Sequence, residues 1–365
     1  MVKKILIINW RDIKNPEAGG AEMYYHEIFR RMVPSGYDIT VLAHSFKGAS
    51  ACEIIDGIKV IRRGNKFLFN FSAIGFLSRN QDQYDLIVED INKIPFFTPL
   101  FVRRMRLHMV MHFFRRSIFR ETNFIFALYV YLMESMVSLF YRKERFVAIS
   151  ESTSLEIEKF GISKERIAIV EPGIDTSYFY PSQPKSTPAV LVYIGRLMKY
   201  KNIQFIIRAL PELRKRVKDV TLEIGGWGDY IDDLRKIAKD EGVADAVIFS
   251  GRITEEYKRD LLSRASLFVN PSAKEGWGIN NIEANLCGTV SLSSNVAGLR
   301  DSVQDGITGL LYEPDNVEDF CEKAVSVLLD SRMRESLEIN AAQRAKELSW
   351  EKISQKMEEL IKLYQ

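Results

Sequence analysis

Short apolar runs rich in Ile and Val alternate with helical segments, and this alternation constrains the fold more than any other feature of the chain. Each run is bounded by polar residues, which is typical of strands buried on both faces of a parallel sheet. Seven runs precede residue 175: KILIINW, DITVLAH, IKVIRR, DLIVED, HMVMHFF, FVAIS and IAIVEPG. The segment EMYYHEIFRRMVPSG between the first two has helical spacing and a Pro-Ser-Gly stop.

The alternation restarts after a segment that contains three prolines, TSYFYPSQPKSTPA. At about 100–200 residues per domain, a chain of 365 residues is expected to form two. We therefore predict an α/β protein with two Rossmann-like, doubly wound parallel-sheet domains that face a central cleft. The predicted parts are residues 1–175, a linker at 176–189, residues 190–345, and a C-terminal helix at 346–365 that packs back on the first domain.

Composition excludes several classes of protein. Three scattered cysteines cannot form a disulfide framework or a Cys-rich zinc site, which favours a reducing compartment. A formal net charge of +3 is too small for a dedicated nucleic-acid binder. The first apolar run is too short for a signal peptide, and no run reaches the ~18–20 residues of a spanning helix. We expect a cytoplasmic protein.

Ligands of open parallel sheets bind at the carboxyl ends of the strands, so the residues after each run are the candidates for a site. Gly19-Gly20 follow the first run and precede a helix, whose N-terminus can accept an anion. A plain turn is the alternative, because no GxGxxG or P-loop motif is present. Arg196 and Lys201 follow the first run of the second half. They are either a clamp for a diphosphate or two solvated cations.

The segment NPSAKEGWGINNIEANLCG is the most informative one. Glu275 lies in a loop, and Glu283 lies two turns into the helix that follows, so both carboxylates can border one cavity. The glycines between them allow the backbone N–H groups of Ile279 and Asn280 to face a phosphate. Such a glutamate pair is common by chance, but its Gly-aromatic-Gly setting after a strand that ends in Pro-Ser is not.

Taken together, these motifs resemble the retaining glycosyltransferases of family 4, which have the two-domain architecture called GT-B. The resemblance covers nearly the whole chain. It rests on GGAE, His112, VAISES, PGID, GRLMKYKN, GGWGDYIDDL, FSGRI, NPS, EGWG with EA, and DGITGLL, in this order. The chain departs from the family pattern at Glu171, Trp277, Thr289, Ala297-Gly298 and Asp301. These departures bear on the choice of donor more than on the fold.

The resemblance implies a role for each matching residue. Glu283 is expected to bind the ribose hydroxyls, while Arg196 and Lys201 bind the diphosphate and stabilise its charge during transfer. Glu275 is expected beside the donor sugar, with His112 on the acceptor side, so that Arg196, Lys201, Glu275 and His112 form the catalytic set. The donor-binding set is Gly20, Arg196, Lys201, Arg252, Ile253, Glu275, Ile279, Asn280 and Glu283, with Arg252 and Ile253 near the base.

Two histidines have a competing interpretation as metal ligands or core residues. His112 follows an apolar strand, where a lone histidine is usually a core or capping residue. His108 lies four residues earlier, but its segment is strand-like and we expect no carboxylate to join it. No Asp-x-Asp sequence occurs, whereas glycosyltransferases that use a metal commonly bind it and the diphosphate through that motif. We predict that no metal is required.

We predict a retaining transferase that moves a hexose from a nucleotide-diphosphate sugar to an acceptor hydroxyl. The donor is a UDP-sugar, with GDP-mannose as the alternative, and no prosthetic group is expected. Because the leaving diphosphate oxygen can deprotonate the acceptor, no protein base is named. Two other hypotheses are a nucleotide-sugar 2-epimerase of GT-B fold and a non-catalytic sugar-nucleotide binding partner.

The positive charge is concentrated in the first half of the chain. Residues 1–170 carry 25 Lys and Arg against 18 Asp and Glu, and much of the excess lies in the Arg-rich segment 101–145. The run 124–133 predicts a buried helix, with a membrane-embedded face as the alternative. The arginines predict a peripheral contact with an anionic membrane and a lipid-linked saccharide or glycolipid as acceptor. A phosphorylated soluble acceptor is the other possibility.

Overall fold

The computed structural model describes residues 2–120 and 122–364, and the chain forms two compact units. The first unit extends to Gly173 and also includes the last helix, from Trp350 onward. The second unit is Ile174–Ser349. Each unit is built around its own parallel sheet, as the restart of the strand–helix alternation predicts.

The first unit contains an eight-stranded sheet with the order β3-β4-β2-β1-β5-β6-β7-β8. Its strands are β1 (Lys4–Ile8), β2 (Asp38–Ala43), β3 (Cys52–Ile55), β4 (Ile58–Arg62), β5 (Leu86–Asp90), β6 (Met105–Val110), β7 (Phe146–Ala148) and β8 (Ile167–Ile169). Its helices up to residue 173 are α1 (Gly20–Arg30), α2 (Phe69–Asn80), α3 (Phe124–Ser135), α4 (Val137–Phe140) and α5 (Glu151–Glu158). The central strands β1 and β5 are almost wholly buried, which explains their apolar runs ILII and LIV, and burial in β5 extends to Glu89 and Asp90.

One strand of this sheet was not predicted. β3 pairs antiparallel with β4 through a tight turn at Asp56-Gly57, where both residues have positive φ angles of 50° and 82°. An Asp-Gly pair suits such a hairpin turn. The sequence CEII has one buried residue in four, so it lacks the apolar run by which the other strands were recognised.

The second unit contains a six-stranded parallel sheet with the order β11-β10-β9-β12-β13-β14. Its strands are β9 (Val190–Ile194), β10 (Thr221–Gly225), β11 (Val247–Gly251), β12 (Leu267–Asn270), β13 (Ser291–Ser294) and β14 (Gly309–Tyr312). Its helices are α6 (Ile203–Arg216), α7 (Ile231–Asp240), α8 (Glu255–Arg264), α9 (Ile279–Leu286), α10 (Leu299–Ser302), α11 (Val317–Leu329) and α12 (Ser331–Glu347). Two Rossmann-like parallel-sheet domains are thereby confirmed.

The last helix, α13 (Trp350–Leu363), packs against α1 of the first unit. The Ser354 hydroxyl donates to the carbonyl of Ile28, and Arg31 forms an ion pair with Glu351 at 2.9 Å. The predicted linker, 176–189, differs from an extended connector because it packs on the second unit. Phe179 is buried there, and the Ser182 amide donates to the Ser263 hydroxyl.

The Arg-rich segment 101–145 does not form the single basic face that the sequence predicts. Arg103 and Arg104 lie just before β6, and Arg142 and Lys143 lie just before β7, all at the amino edge of the sheet. Arg115 and Arg116 follow β6, at the opposite, carboxyl edge. Because β6 and β7 are parallel, the connection between them returns the chain to the amino edge and separates the two groups of cations.

The prediction that the run 124–133 is a buried helix is wrong. Helix α3 buries only Ala127, Val130 and Glu134. These three side chains lie at i, i+3 and i+7, so they form one narrow stripe along the helix. Most of the large apolar side chains of α3 are exposed: Phe124 69%, Ile125 82%, Phe126 42%, Leu128 39%, Tyr129 46% and Leu132 50%. Within residues 2–120 and 122–364, no helix has both the length and the apolarity needed to cross a membrane.

A buried ionic network joins β5, β6 and the loop before β7. The parallel register places Glu89 opposite His108, and their side chains approach to 3.3 Å. On its other side, His108 lies 3.2 Å from Glu144, which also forms a double hydrogen bond with Arg106. The expectation that no carboxylate joins His108 is therefore wrong, because both carboxylates come from neighbouring segments of the sheet.

The two carboxylates keep His108 charged in a buried position. Burial alone would lower the pKa of His108, but Glu144 and Glu89 raise it above its ordinary value. The pKa values of both carboxylates are lowered in turn. The pKa of Glu144 falls to about 2, because His108 and Arg106 outweigh its burial. Tyr141 also donates to Glu89 at 2.7 Å. The network thus joins several elements at the sheet interior.

We predict that His108→Gln lowers the free energy of unfolding by about 3 kcal/mol at pH 6, because it leaves buried carboxylates without their cation. The pKa of His108 is higher in the folded protein than in the unfolded chain, where it is ~6.5. Its contribution to the free energy of unfolding is therefore complete below pH ~6.5 and is lost as the pH rises through the pKa in the folded protein. The difference from wild type should therefore shrink between pH 6 and pH 9 in urea titrations. His26→Gln is the control, since its partner Asp56 is largely exposed. An equal loss at both pH values would contradict the charged network.

Candidate functional site

The residues predicted to bind the donor lie at the carboxyl ends of neighbouring strands in the second unit. β9 pairs with both β10 and β12, so the loops that follow these three strands leave the same edge of the sheet. Arg196 and Lys201 follow β9, Trp227 follows β10, and Glu275 follows β12. Parallel pairing alone therefore collects side chains that are up to 79 residues apart in sequence, from Arg196 to Glu275.

The loops after β9 and β10 contact each other through their backbones. The amide of Gly195 donates to the carbonyl of Gly225, and the amide of Leu197 donates to the carbonyl of Trp227. At Gly226, a Cβ atom would lie 1.8 Å from the carbonyl oxygen of Gly195, so only glycine fits. This contact fixes the backbone path from which Arg196 and Lys201 emerge.

Lys201 and Glu275 are brought together at the centre of this edge. Their side chains form an ion pair, and the Ser272 hydroxyl donates to the same carboxylate oxygen at 2.8 Å. Lys201 lies in a single 3₁₀ turn, Lys199–Lys201, that is closed by Asn202 in the left-handed conformation. Arg196 is exposed. The edge therefore presents one open cation and one cation already neutralised by a carboxylate.

Helix α9 begins at this edge. Gly278, its N-cap, has φ 83°, and a Cβ there would lie 2.6 Å from the side chain of Leu299. Ile279 and Asn280 form the first turn, whose backbone N–H groups have no partner within the helix and attract anions. The side chain of Asn280 donates to the carbonyl of Ile194 at 2.6 Å, which ties the helix N-terminus to the end of β9.

Glu283 lies in the second turn of α9, is 7% exposed, and faces a lysine that the sequence analysis did not select. The charged atoms of Lys258 and Glu283 are 2.6 Å apart, in a close ion pair without well-aligned hydrogen-bond geometry. Burial raises the pKa of Glu283, and Lys258 opposes that shift. The carboxylates of Glu283 and Glu255 outweigh burial and raise the pKa of Lys258.

No sequence signal marks Lys258 as a partner of Glu283, because it lies on α8 in a highly charged segment, EEYKRD. Lys258 also lies 5.3 Å from the ring of Phe179. The ammonium group of Lys258 is therefore held by two contacts, with the ring of Phe179 and with the carboxylate of Glu283. This makes Lys258 a positioning residue for Glu283.

Arg252 and Ile253 lie beside the loop after β10. The guanidinium of Arg252 packs over the ring of Trp227 at 4.8 Å, and Trp227 is 53% exposed. Ile253 contacts Gly225, where a Cβ would lie 2.9 Å from its side chain. Trp227 was not selected from the sequence, although an exposed tryptophan between two glycines was a usable signal. The arrangement offers a flat surface to a planar group.

Gly20 and His112, the remaining predicted site residues, belong to the first unit. Gly20 is the first residue of α1, and nothing lies within 4 Å of the Cβ it lacks, so the backbone is open there. His112 follows β6 and packs on the ring of Phe114, with centroids 4.6 Å apart. Both residues lie at the carboxyl edge of their own sheet.

The same edge of the first unit carries a cavity of about 390 Å³. Its walls come from the loops that follow β1, β2 and β4, three adjacent strands. The lining residues are Asn15, Pro16, Glu17, His44, Ser45, Phe46, Asn65, Lys66 and Phe67. Amides, a hydroxyl and two aromatic rings are the groups that bind sugar hydroxyls and sugar faces. Among the described residues, no three His, Cys, Asp or Glu side chains are grouped to hold a metal ion.

Comparison with known proteins gives curated relatives that match about half of the chain and solved structures that match nearly all of it. A D-inositol 3-phosphate glycosyltransferase of Paenarthrobacter aurescens is 27% identical over 211 residues, which cover 54% of this chain and 51% of that protein. A GDP-mannose-dependent alpha-(1-6)-phosphatidylinositol monomannoside mannosyltransferase of Mycolicibacterium smegmatis is 33% identical over 178 residues, which cover 44% and 47%. The matches thus span about half the length of these curated relatives. HepE of Anabaena, solved with UDP and glucose, has a TM-score of 0.73 at 18% identity and covers 99% of both chains.

Two family models match consecutive parts of the chain. The model described as Glycosyltransferase Family 4 matches residues 18–178, and the model described as Glycosyl transferases group 1 matches residues 176–344. The boundary between them lies at the start of the second unit, and the solved relative has the same two-domain fold. The chain belongs to glycosyltransferase family 4 and has the GT-B fold.

Proposed function

We propose that this protein is a retaining glycosyltransferase that transfers a hexose from a nucleotide-diphosphate sugar to an acceptor hydroxyl. The observation that carries the proposal is the convergence of Arg196, Lys201 and the N-terminus of α9 at one edge of the second sheet. Three sources of positive potential along one edge of a sheet suit a diphosphate. Beside them, Glu275 and Glu283 supply carboxylates for hydroxyl groups.

In this proposal the nucleotide extends across the carboxyl edge of the second sheet. Glu283 accepts hydrogen bonds from the ribose hydroxyls, held by Lys258. The base lies against the Arg252–Trp227 pair and Ile253. We propose a UDP-sugar as donor, with GDP-mannose as the alternative, because HepE was solved with UDP whereas the mannosyltransferase relative uses GDP-mannose.

The diphosphate has to compete with Glu275 for Lys201, because the two side chains are already paired. When the diphosphate takes over Lys201, Glu275 is released to accept hydrogen bonds from the donor sugar. The bond between the anomeric carbon and the phosphate oxygen then breaks, and the acceptor oxygen forms the new bond on the same face. The acceptor proton passes to the departing phosphate oxygen, whose charge Arg196 and Lys201 stabilise. His112 hydrogen-bonds on the acceptor side.

We further propose that the acceptor is a lipid-linked saccharide or glycolipid, reached by peripheral association with the cytoplasmic face of a membrane. The cavity of the first unit is large enough for a sugar residue and is lined by groups that bind one. The phosphatidylinositol mannoside named for one relative supports a lipid acceptor, and the inositol phosphate named for the other supports a soluble phosphorylated one. The exposed apolar residues of the first unit favour the lipid.

We predict that Arg196→Ala and Lys201→Ala each lower kcat/KM at least tenfold, because each removes a cation that stabilises the leaving diphosphate. The measurement is transfer of radiolabelled sugar from UDP- and GDP-sugars, together with a melting curve that checks the fold. Lys199→Ala is the matched control, since Lys199 lies in the same 3₁₀ turn and is exposed. A loss below tenfold, or about 1.4 kcal/mol of barrier, would remove these residues from the diphosphate site.

We predict that Glu283→Gln weakens nucleoside diphosphate binding about tenfold or more, because it replaces a charged acceptor of ribose hydrogen bonds. In Lys258→Met the pKa of Glu283 rises further, since burial already raises it and the opposing cation is gone. Affinity in that variant should fall steeply as the pH is lowered from 8 to 6, because the carboxylate becomes protonated. Thermal shifts with UDP and GDP measure both effects.

Lys236→Met, on the exposed surface of α7, is the control for the lysine replacement. If Lys258→Met binds nucleotide with wild-type affinity at both pH values, Lys258 does not position Glu283. If Glu283→Gln also binds nucleotide with wild-type affinity, Glu283 lies away from the ribose.

We predict that transfer survives millimolar EDTA with no more than a twofold change, because two cations and a helix N-terminus can neutralise the diphosphate without a metal. Activity is compared before and after chelation with the same donor and acceptor. Loss that added Mg²⁺ or Mn²⁺ restores would show instead that the diphosphate is bound through a metal.

A further inference from the structure

Helix α3 presents the largest group of exposed apolar side chains on any described helix of the first unit. The helix is attached by a narrow stripe, in which Ala127 and Val130 pack on Phe114 and Ile118. Glu134, the one charged residue of the helix, is buried and accepts the backbone amides of Phe114 and Arg115. The exposed surface of α3 therefore carries no charge.

The attachment holds α3 in place without covering it. The guanidinium of Arg115 packs over the ring of Tyr131 at 4.6 Å and donates to the Ser135 hydroxyl. The loop before the helix is thus held against the C-terminal half of α3, at Tyr131 and Ser135. Phe124, Ile125 and Leu132 remain 50–82% exposed. Apolar patches of this kind mark interaction sites in soluble proteins.

A second group of exposed apolar residues lies at the same edge of the sheet. Phe67 (82%), Leu68 (55%) and Phe71 (73%) follow β4, as α3 follows β6. β4 and β6 lie on opposite sides of the central strands β2, β1 and β5. The carboxyl edge of the first unit is therefore flanked by apolar side chains on both sides, and Phe67 also lines the cavity at this edge.

Three loops at this edge contain basic residues and no acidic ones. Residues 63–68, 91–97 and 111–119, which follow β4, β5 and β6, contain Arg63, Lys66, Lys93, Arg115 and Arg116 and no Asp or Glu. Arg63, Lys66, Lys93 and Arg116 are exposed. Aromatic and aliphatic side chains beside cations suit the interface of an anionic bilayer, where the rings enter the headgroup layer and the cations meet the phosphates.

We propose that the carboxyl edge of the first unit docks on a phospholipid bilayer by inserting the exposed side chains of α3. This inference rests on the proposed transfer to a lipid-linked acceptor, because docking at this edge places the 390 Å³ cavity at the membrane surface. It assigns the main contribution to apolar insertion, and a supporting one to the cations of the three loops. The arginines before β6 and β7 lie at the other edge and take no part.

The experiment compares the full chain with two triple variants by flotation on vesicles. The test variant is Phe124→Gln, Ile125→Gln and Leu132→Gln, since glutamine keeps helix propensity and the three side chains have few contacts to lose. The control variant makes the same replacement at Leu329, Ile339 and Leu363, which are 65%, 66% and 80% exposed on other helices. Vesicles are pure phosphatidylcholine, or phosphatidylcholine with one quarter phosphatidylglycerol.

Wild type and the control variant should float with both kinds of vesicle, and more with the anionic kind. High salt should reduce anionic binding to the neutral level but no further, because screening acts on the cations and not on apolar insertion. The test variant should lose at least tenfold of its vesicle partition on both. Equal flotation of the test variant and wild type would overturn the proposal, as would wild-type binding that is absent from neutral vesicles.

Light scattering of the free protein tests whether a second copy of the chain covers the exposed side chains of α3. A concentration-dependent dimer that the α3 variant abolishes, with no vesicle binding by wild type, would show that a second copy covers the helix and would overturn the proposal. Nucleotide affinity of the α3 variant should equal that of wild type. Vesicle binding without sugar transfer would contradict the proposed enzyme function alone, and transfer to a soluble acceptor without vesicle binding would contradict the docking surface alone.

Discussion

The candidate donor site depends on the parallel pairing of β9 with β10 and β12. That pairing brings three loops to one edge of the sheet, and the backbone contact between the loops after β9 and β10 leaves no room for a side chain at Gly226. The loop after β13 packs as closely on the loop after β12, since a Cβ at Gly298 would lie 2.2 Å from the carbonyl of Glu275. The loops are thus fixed by their backbones, whereas the charged side chains are held by side-chain contacts, both with one another and with Ser272 and Phe179. A ligand can exchange ion-pair partners there without disturbing the fold.

Two lysine–glutamate pairs give this edge its electrostatic character. Lys201 neutralises Glu275, and Lys258 neutralises Glu283, so neither carboxylate is left as an isolated buried charge. The two pairs differ in what a ligand must do. In the proposed donor complex, a diphosphate would displace Glu275 from Lys201, whereas ribose hydroxyls would add to Glu283 while Lys258 stays in place. The proposal therefore requires the Lys201–Glu275 pair to separate when the donor binds, and the Lys258–Glu283 pair to stay formed.

Local sequence patterns predicted those parts of the fold that depend on neighbouring residues. Buried parallel strands such as β1 and β5 read as apolar runs, and Gly278 before α9 marked a tight turn correctly. Side-chain partners from distant segments could not be predicted. His108 acquires Glu89 by strand register and Glu144 from a loop, and Lys258 meets Glu283 across two helices. Nothing in the residues next to His108 or Glu283 specifies these contacts.

Helix α3 is the clearest case in which the hydropathy of a segment does not show whether it is buried or exposed. A helix that is apolar on all sides is expected either in a protein core or in contact with lipid, and the residues of α3 alone cannot decide between the two. The structure shows which side chains of α3 are buried. Ala127 and Val130 are small and bury one stripe, and Glu134, the only acid of the helix, holds the preceding loop. What remains outside is uncharged and lies beside cations. The ambiguity in the sequence thus has a physical cause, since the same composition serves to pack a core and to enter a bilayer.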